Sequence, residues 1–293
     1  MYVSVRIHRF AALAIAAVLL LGLVTAVWGS AAAPAGAVPD DPVAVPIIMY
    51  HGLLKDSKLQ GKYILSPTVF EEDLKYLKEH GYNTIVVQDL LDYVYRGVPL
   101  PEKPIMITFD DGYLNNYVYA FPLLQKYNMK MVLSPVGRYC DQYTESPDTN
   151  ASYAQVTWAH LKEMMDSGLV EVQNHSYNLH SNSQSRNGAK KNKGESLEEY
   201  QTTLRNDLGE MQRKMKEYTG FEPTAFTYPF GAISEASLEV VKELGFQASF
   251  SCEEKVNYVT RDPECLYLLG RYLRAGGVGT ESFFERVLKK AES

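Results

Sequence analysis

Two carboxylates stand side by side in Asp110-Asp111-Gly112, and two histidines stand five apart, His175 and His180, in a Gln-Asn-His-Ser-Tyr-Asn-Leu-His string. Each group follows a short apolar run that reads as a strand, 105–109 before the carboxylates and 170–172 before the histidines. Side chains alternate faces along a strand, so Asp110 and Asp111 cannot point the same way. One can hold a cation while the other faces a different side of a pocket. Five residues of helix turn through about 500°, so the two histidines share no helix face and converge only across a bend. One Asp and two His make a three-ligand set for a divalent metal that keeps open positions. Taken singly, the same residues also read as a turn with a capping Asp and as two solvated loop histidines. Two other strand ends carry turn chemistry, His51-Gly52 and Pro229-Phe230-Gly231.

Those four strand ends form one site only if a parallel sheet brings them to a common mouth, because such sheets gather working residues at their carboxyl ends. From Val43 onward, short apolar runs alternate with amphipathic stretches. Strands are expected at 46–50, 84–87, 105–109, 131–133, 170–172, 225–228, 248–250 and 266–268. A helix opens at Ser66-Pro67, buries Phe70, Leu74 and Leu77, and stops at Gly81. Tyr117, Phe121, Leu124 and Tyr127 form the next helical stripe, with a kink expected at Pro122. Thr157 caps a helix that ends near Gly168. Ser196 and Glu199 form a capping box before Leu197, Tyr200, Leu204, Leu208, Met211, Met215 and Tyr218, which recur at spacings of three and four. Shorter helices are expected at 234–244 and 280–290. This alternation means an α/β fold on a parallel sheet, either closed as a barrel or open and doubly wound. No linker interrupts it, so residues 38–293 read as one domain. The polar, basic segment 181–195 reads as a mobile surface loop.

The whole chain has 293 residues, 46% of them apolar and 22% charged, with a net charge of −6. That composition supports a large core and disfavours a nucleic-acid partner, which calls for a basic surface. Residues 1–37 are set apart. Arg6 and Arg9 precede an apolar run over 11–28, followed by small residues and Ala-Gly-Ala at 35–37. This reads as an export signal, either cleaved or kept as an N-terminal membrane anchor through 11–28. Both alternatives place the rest outside the cytoplasm, secreted or on the outer face of the membrane. Cysteines number three, Cys140, Cys252 and Cys265. Export permits a Cys252–Cys265 disulfide, and three buried thiols are the alternative.

Thr108-Phe109-Asp110-Asp111-Gly112, His175-Ser176 with His180, and Tyr228-Pro229-Phe230-Gly231 resemble three motifs of the polysaccharide deacetylase family, carbohydrate esterase family 4. The resemblance covers about 46–275. It implies a distorted (β/α) barrel of about seven strands, with Asp111, His175 and His180 holding a divalent metal and Asp110 as general base. It also assigns Tyr228, Pro229 and Phe230 to the oxyanion and substrate, through the Phe230 main-chain N–H. Zinc is the expected metal, with cobalt, nickel and ferrous iron as alternatives. Several family features are missing here. The histidine gap is five rather than four, Thr227 stands where the family has the arginine that orients the base, and no histidine follows His180. Arg271 or Arg274 is expected to replace that arginine. Of the remaining histidines only His51 follows a strand, since His8 lies in the leader, His80 ends a helix and His160 sits in a helix's first turn. Ile48-Met49-Tyr50-His51-Gly52 resembles the start of the circularly permuted subgroup that deacetylates poly-N-acetylglucosamine, which makes His51 the expected general acid. The implied activity is metal-dependent removal of N-acetyl groups from an extracellular N-acetylglucosamine polymer. A peptidoglycan deacetylase and an inactive glycan-binding relative are the alternatives. No protein partner is implied.

Overall fold

Strands that are apolar at consecutive positions need cover on both faces, which a parallel sheet flanked by helices provides. The computed structural model, which describes residues 41–183 and 186–291, has this arrangement. Strand Pro104–Asp111 is buried except at Asp111 and pairs in parallel with Ile47–Tyr50, Asn83–Ile85 and Met131–Pro135. Tyr272–Leu273 extends the sheet beyond Ile47–Tyr50, and Val170–Val172 extends it beyond Met131–Pro135. A second parallel pair, Ala225–Thr227 with Ala248–Phe250, meets this sheet through single parallel bridges, Asn174 to Phe226 and Phe250 to Leu269. An antiparallel pair, Val43–Val45 with Asn257–Val259, ties two distant parts of the chain together. The expected leader, 1–37, lies outside the described residues. No helix among the described residues is long and apolar enough to cross a membrane.

The helix signals written locally are realised. Ser66 accepts the Val69 N–H at the start of Pro67–Glu79, and Thr157 caps Trp158–Asp166. Leu197–Thr219 carries the Ser196/Glu199 capping box and ends at Gly220 in the left-handed conformation. Its stripe buries Tyr200, Leu204, Leu208, Met211 and Met215, whereas Leu197 and Tyr218 stay exposed at the two ends. Ser196→Ala removes the acceptor for the Glu199 N–H and is expected to cost about 1 kcal/mol, read from a urea unfolding midpoint.

Other expectations are corrected. The strand expected at 84–87 ends at Ile85, and Val87–Arg96 is a helix whose first two N–H groups are taken by the Glu171 carboxylate, 84 and 83 residues away. Gly137–Glu145 is a further helix that the pattern did not signal. Pro122 produces no mid-helix kink. A π turn over Asn116–Ala120 precedes the helix Phe121–Tyr127, so Pro122 stands in its first turn, where a missing N–H is tolerated. Residues 266–268 are not a strand, because Pro263–Leu266 forms a 3-10 turn and the last strand is Tyr272–Leu273. The helix expected at 234–244 is confined to Ser237–Glu243.

The described part of 181–195 is packed rather than loose. Gly188 N–H bonds Ser181 O, Arg186 pairs with Glu195, and the Ala189 carbonyl accepts the buried Tyr200 hydroxyl. Cys140, Cys252 and Cys265 are all free thiols, of which only Cys140 is buried and the other two are partly exposed.

Candidate active site

Strand Pro104–Asp111 ends by turning sharply. Asp111 and Gly112 both have positive φ, 72° and 77°. A Cβ at Gly112 would lie 2.5 Å from Pro135 Cβ, so both backbone and packing require glycine there. The turn separates the carboxylates as alternation demands. Asp110 points inward and is held by Arg271 in a bidentate pair, Nη1 to Oδ1 at 2.7 Å and Nη2 to Oδ2 at 2.8 Å. Arg271 is fully buried and also donates Nε–H to Ser251 O. Burial pushes Asp110 up, but the Arg271 charge, aided by His175, Arg271's hydrogen bonds and His51, holds it below the ordinary carboxylate value.

Arg271 therefore occupies the place beside Asp110, and Arg274 does not. Three positions along an extended strand reverse the face. Arg274 turns to Asp73, Nε to Oδ2 at 2.9 Å and Nη2 to Oδ1 at 3.0 Å.

Asp111 points toward the histidines. Its Oδ1 lies 3.0 Å from His180 Nε2 and 3.5 Å from His175 Nε2. The ligand atoms of all three residues fall within 4.8 Å of one another. The bend that five-residue spacing requires is at Ser176, with φ 75°. Asn174 Oδ1 accepts the Ser176 N–H, Ser176 Oγ accepts the Leu179 N–H, and the Asp207 carboxylate accepts the N–H groups of Tyr177 and Asn178. Burial lifts Asp207 to about 6 against those two bonds. Burial also raises Asp111, but the two imidazoles hold it far below the carboxylate range, and Asp111 raises His180 against the effect of burial.

This donor set fits a divalent cation. His175 Nδ1 lies 2.8 Å from Thr227 O, a carbonyl that can only accept, so Nδ1 carries a proton and Nε2 is the ring nitrogen turned to Asp111 and left to meet a cation. Asp111 Oδ1 is buried and has no well-formed hydrogen bond. A buried carboxylate oxygen facing two imidazole Nε2 atoms is a donor set that suits a divalent cation.

His51 borders the same cavity, of about 700 Å³. Its Nδ1 is buried without a partner, its ring stands against Tyr63 at 4.9 Å, and its carbonyl accepts Asn116 Nδ2 at 2.8 Å. Burial lowers its pKa, opposed by Asp110 and Asp111. Phe230 has left-handed φ of 58°, and its half-exposed ring lies 4.4 Å from His180. Tyr228 and Pro229 do not reach the cavity. Tyr228 is fully buried on the face of Phe226, with its hydroxyl 2.7 Å from Ser237 Oγ, and Pro229 is buried in the turn.

Tyr63 and Tyr113 line the cavity without having been singled out from the sequence, and no local pattern marks them.

Residues 97–249, just over half of the chain, match the family model of the polysaccharide deacetylases. The chain belongs to the polysaccharide deacetylase family. The matched span contains Asp110, Asp111, His175, His180 and Phe230, while His51 and Arg271 lie outside it. The chain is similar to the poly-beta-1,6-N-acetyl-D-glucosamine N-deacetylase of Escherichia coli (strain K12), 24% identical over 266 residues, covering 84% of this chain and 38% of that protein. The protein of the same name from Staphylococcus aureus (strain MSSA476) is 27% identical over 199 residues, covering 68% of this chain and 64% of that one. The chain thus spans less than two thirds of either relative. Among solved structures of deacetylases, a de-N-acetylase from Aggregatibacter actinomycetemcomitans superimposes with a TM-score of 0.70 at 26% identity, covering 85% of this chain and 99% of that one.

Proposed function

We propose that this chain is a metal-dependent N-deacetylase that removes acetyl groups from N-acetylglucosamine residues of an extracytoplasmic poly-β-1,6-linked polysaccharide. One observation carries the reading. His51, Asp110 and the Asp111–His175–His180 set border one cavity, with Arg271 buried behind Asp110, although His51 precedes the carboxylates by about 60 residues and Arg271 follows Asp110 by 161. The names of the two relatives support the choice of polymer. The two single-residue bridges support reading the strands as a distorted barrel of about seven strands, within a domain over 38–293. Arg6, Arg9 and the apolar run 11–28 support export, with the leader either cleaved or serving as the anchor.

Asp111, His175 and His180 would hold the cation, with zinc first and cobalt, nickel or ferrous iron as alternatives. When bound, the cation supplies Lewis-acid polarisation of the acetyl carbonyl and acidifies water. Asp110, kept ionised by Arg271, takes a proton from the attacking water at a carboxylate oxygen. The Phe230 main-chain N–H meets the negative charge that develops on the acetyl oxygen. His51 delivers a proton to the departing nitrogen as the C–N bond breaks. Burial favours its neutral form, and the Asp110 and Asp111 charges oppose that by favouring the protonated one.

Amine release from poly-β-1,6-N-acetylglucosamine is expected to stop on chelation and to return with zinc. Release from peptidoglycan instead would change the substrate. Glycan binding that survives chelation, with no amine released under any metal, would overturn the enzymatic reading.

A further inference from the structure

The bend between the two histidines is gripped from outside by one turn of the long helix. Asp207 lies near the middle of Leu197–Thr219, and its Oδ1 accepts the Tyr177 N–H and its Oδ2 the Asn178 N–H, both at 2.8 Å. These two amides form the centre of the segment that carries both imidazoles. The next helix residue, Leu208, accepts Asn174 Nδ2 through its carbonyl, and Asn174 Oδ1 accepts the N–H of the left-handed Ser176. Residues 207–208 thereby hold the chain on both sides of the bend. Among the described residues no Lys or Arg forms an ion pair with Asp207, and burial disfavours its charge. The carboxylate is thus hydrogen-bonded by main-chain amides alone, the arrangement by which a partly buried acid fixes a loop.

We propose that Asp207 is a positioning residue for the metal centre: its carboxylate fixes the main chain at 177–178 so that His175 and His180 face Asp111. The proposal rests on the functional reading above, in which those three residues hold a divalent cation. A carboxylate with two acceptor oxygens satisfies both amides, whereas an amide side chain offers one acceptor and turns an NH₂ toward the other N–H. With the clamp gone, the bend is free to open and the imidazoles must be gathered at the expense of binding. Partners of this outer kind typically change metal affinity by about 10–100-fold.

Zinc dissociation constants would be measured by chelator competition on the full chain for the parent, Asp207→Ala and Asp207→Asn, beside the unfolding midpoint of each metal-free protein. Asp207→Ala is expected to bind zinc about 10–100-fold more weakly. Asp207→Asn, close to isosteric, is expected to show a smaller loss, with its metal-free midpoint near the parent's. Parent-like zinc affinity in both variants would overturn the proposal. A metal-free midpoint that falls in step with the affinity in both variants would also overturn it, since Asp207 would then support the fold in general. A parent chain that binds zinc no better than His175→Ala would overturn the functional reading itself, and the proposal with it.

Discussion

Asp110→Asn is expected to reduce kcat by about 10²–10⁴-fold while zinc content stays at the parental level. The substitution preserves shape but removes both the proton acceptor and the charge that pairs with the buried Arg271. Asp110 is not among the three grouped metal-ligand residues, so the cation site should survive. Turnover would be followed as amine release from the polymer at saturating substrate, with metal analysis on the same sample. Full turnover in Asp110→Asn with metal bound would remove Asp110 from the mechanism.

Arg271→Met tests the same pair from the other side. The arginine charge lowers Asp110's pKa against a burial that raises it. Its removal shifts Asp110 upward, and since the base works ionised, the acid limb of the pH–rate profile should move to higher pH. An unmoved limb would mean that another group holds Asp110 ionised.

Asp73→Ala is expected to lower folding stability by about 3–5 kcal/mol, read from urea unfolding. Asp73 and Arg274 are both fully buried and share two hydrogen bonds, at 2.9 and 3.0 Å. The Asp73 carboxylate also accepts the Tyr50 hydroxyl at 2.9 Å and Thr280 Oγ1 at 2.7 Å, joining the central sheet to the start of the C-terminal helix Thr280–Lys289. Removing the carboxylate strands a guanidinium in the core. Replacing both partners, Asp73→Leu with Arg274→Met, leaves no stranded charge and should restore most of the loss. A loss well under 1 kcal/mol for Asp73→Ala alone would mean that water reaches Arg274. Activity is the second readout, because Asp73 and Arg274 lie outside the cavity lining.

Much of the chemistry was legible because it is written locally. Asp110-Asp111-Gly112 shows two carboxylates that must diverge, and the Asp111 turn delivers that divergence. The five-residue histidine spacing demands a bend, and Ser176 is that bend. Ser66, Thr157 and Ser196 announce their helices because a cap acts within three residues of itself.

Where a partner is far away in the chain, no such signal exists. The helix Val87–Arg96 starts on the carboxylate of Glu171, and its N-cap is Val86, whose side chain cannot cap, so only Asp89, accepting the Val86 N–H, marks that start locally. Tyr228 belongs to a suggestive motif, yet the pleat places it beside Phe226 in the core and leaves Phe230 at the cavity.

By itself the sequence determined the alternation that makes a parallel sheet and the residue types waiting at its strand ends, since both depend on periodicity and near neighbours. Only the packing of distant segments selects Arg271 over Arg274 for Asp110, sets His51 on the cavity that Asp110 lines, and brings Asp207 to the histidine bend. Those choices depend on strand register and helix placement between segments many residues apart, and nothing local encodes which distant side chain will arrive.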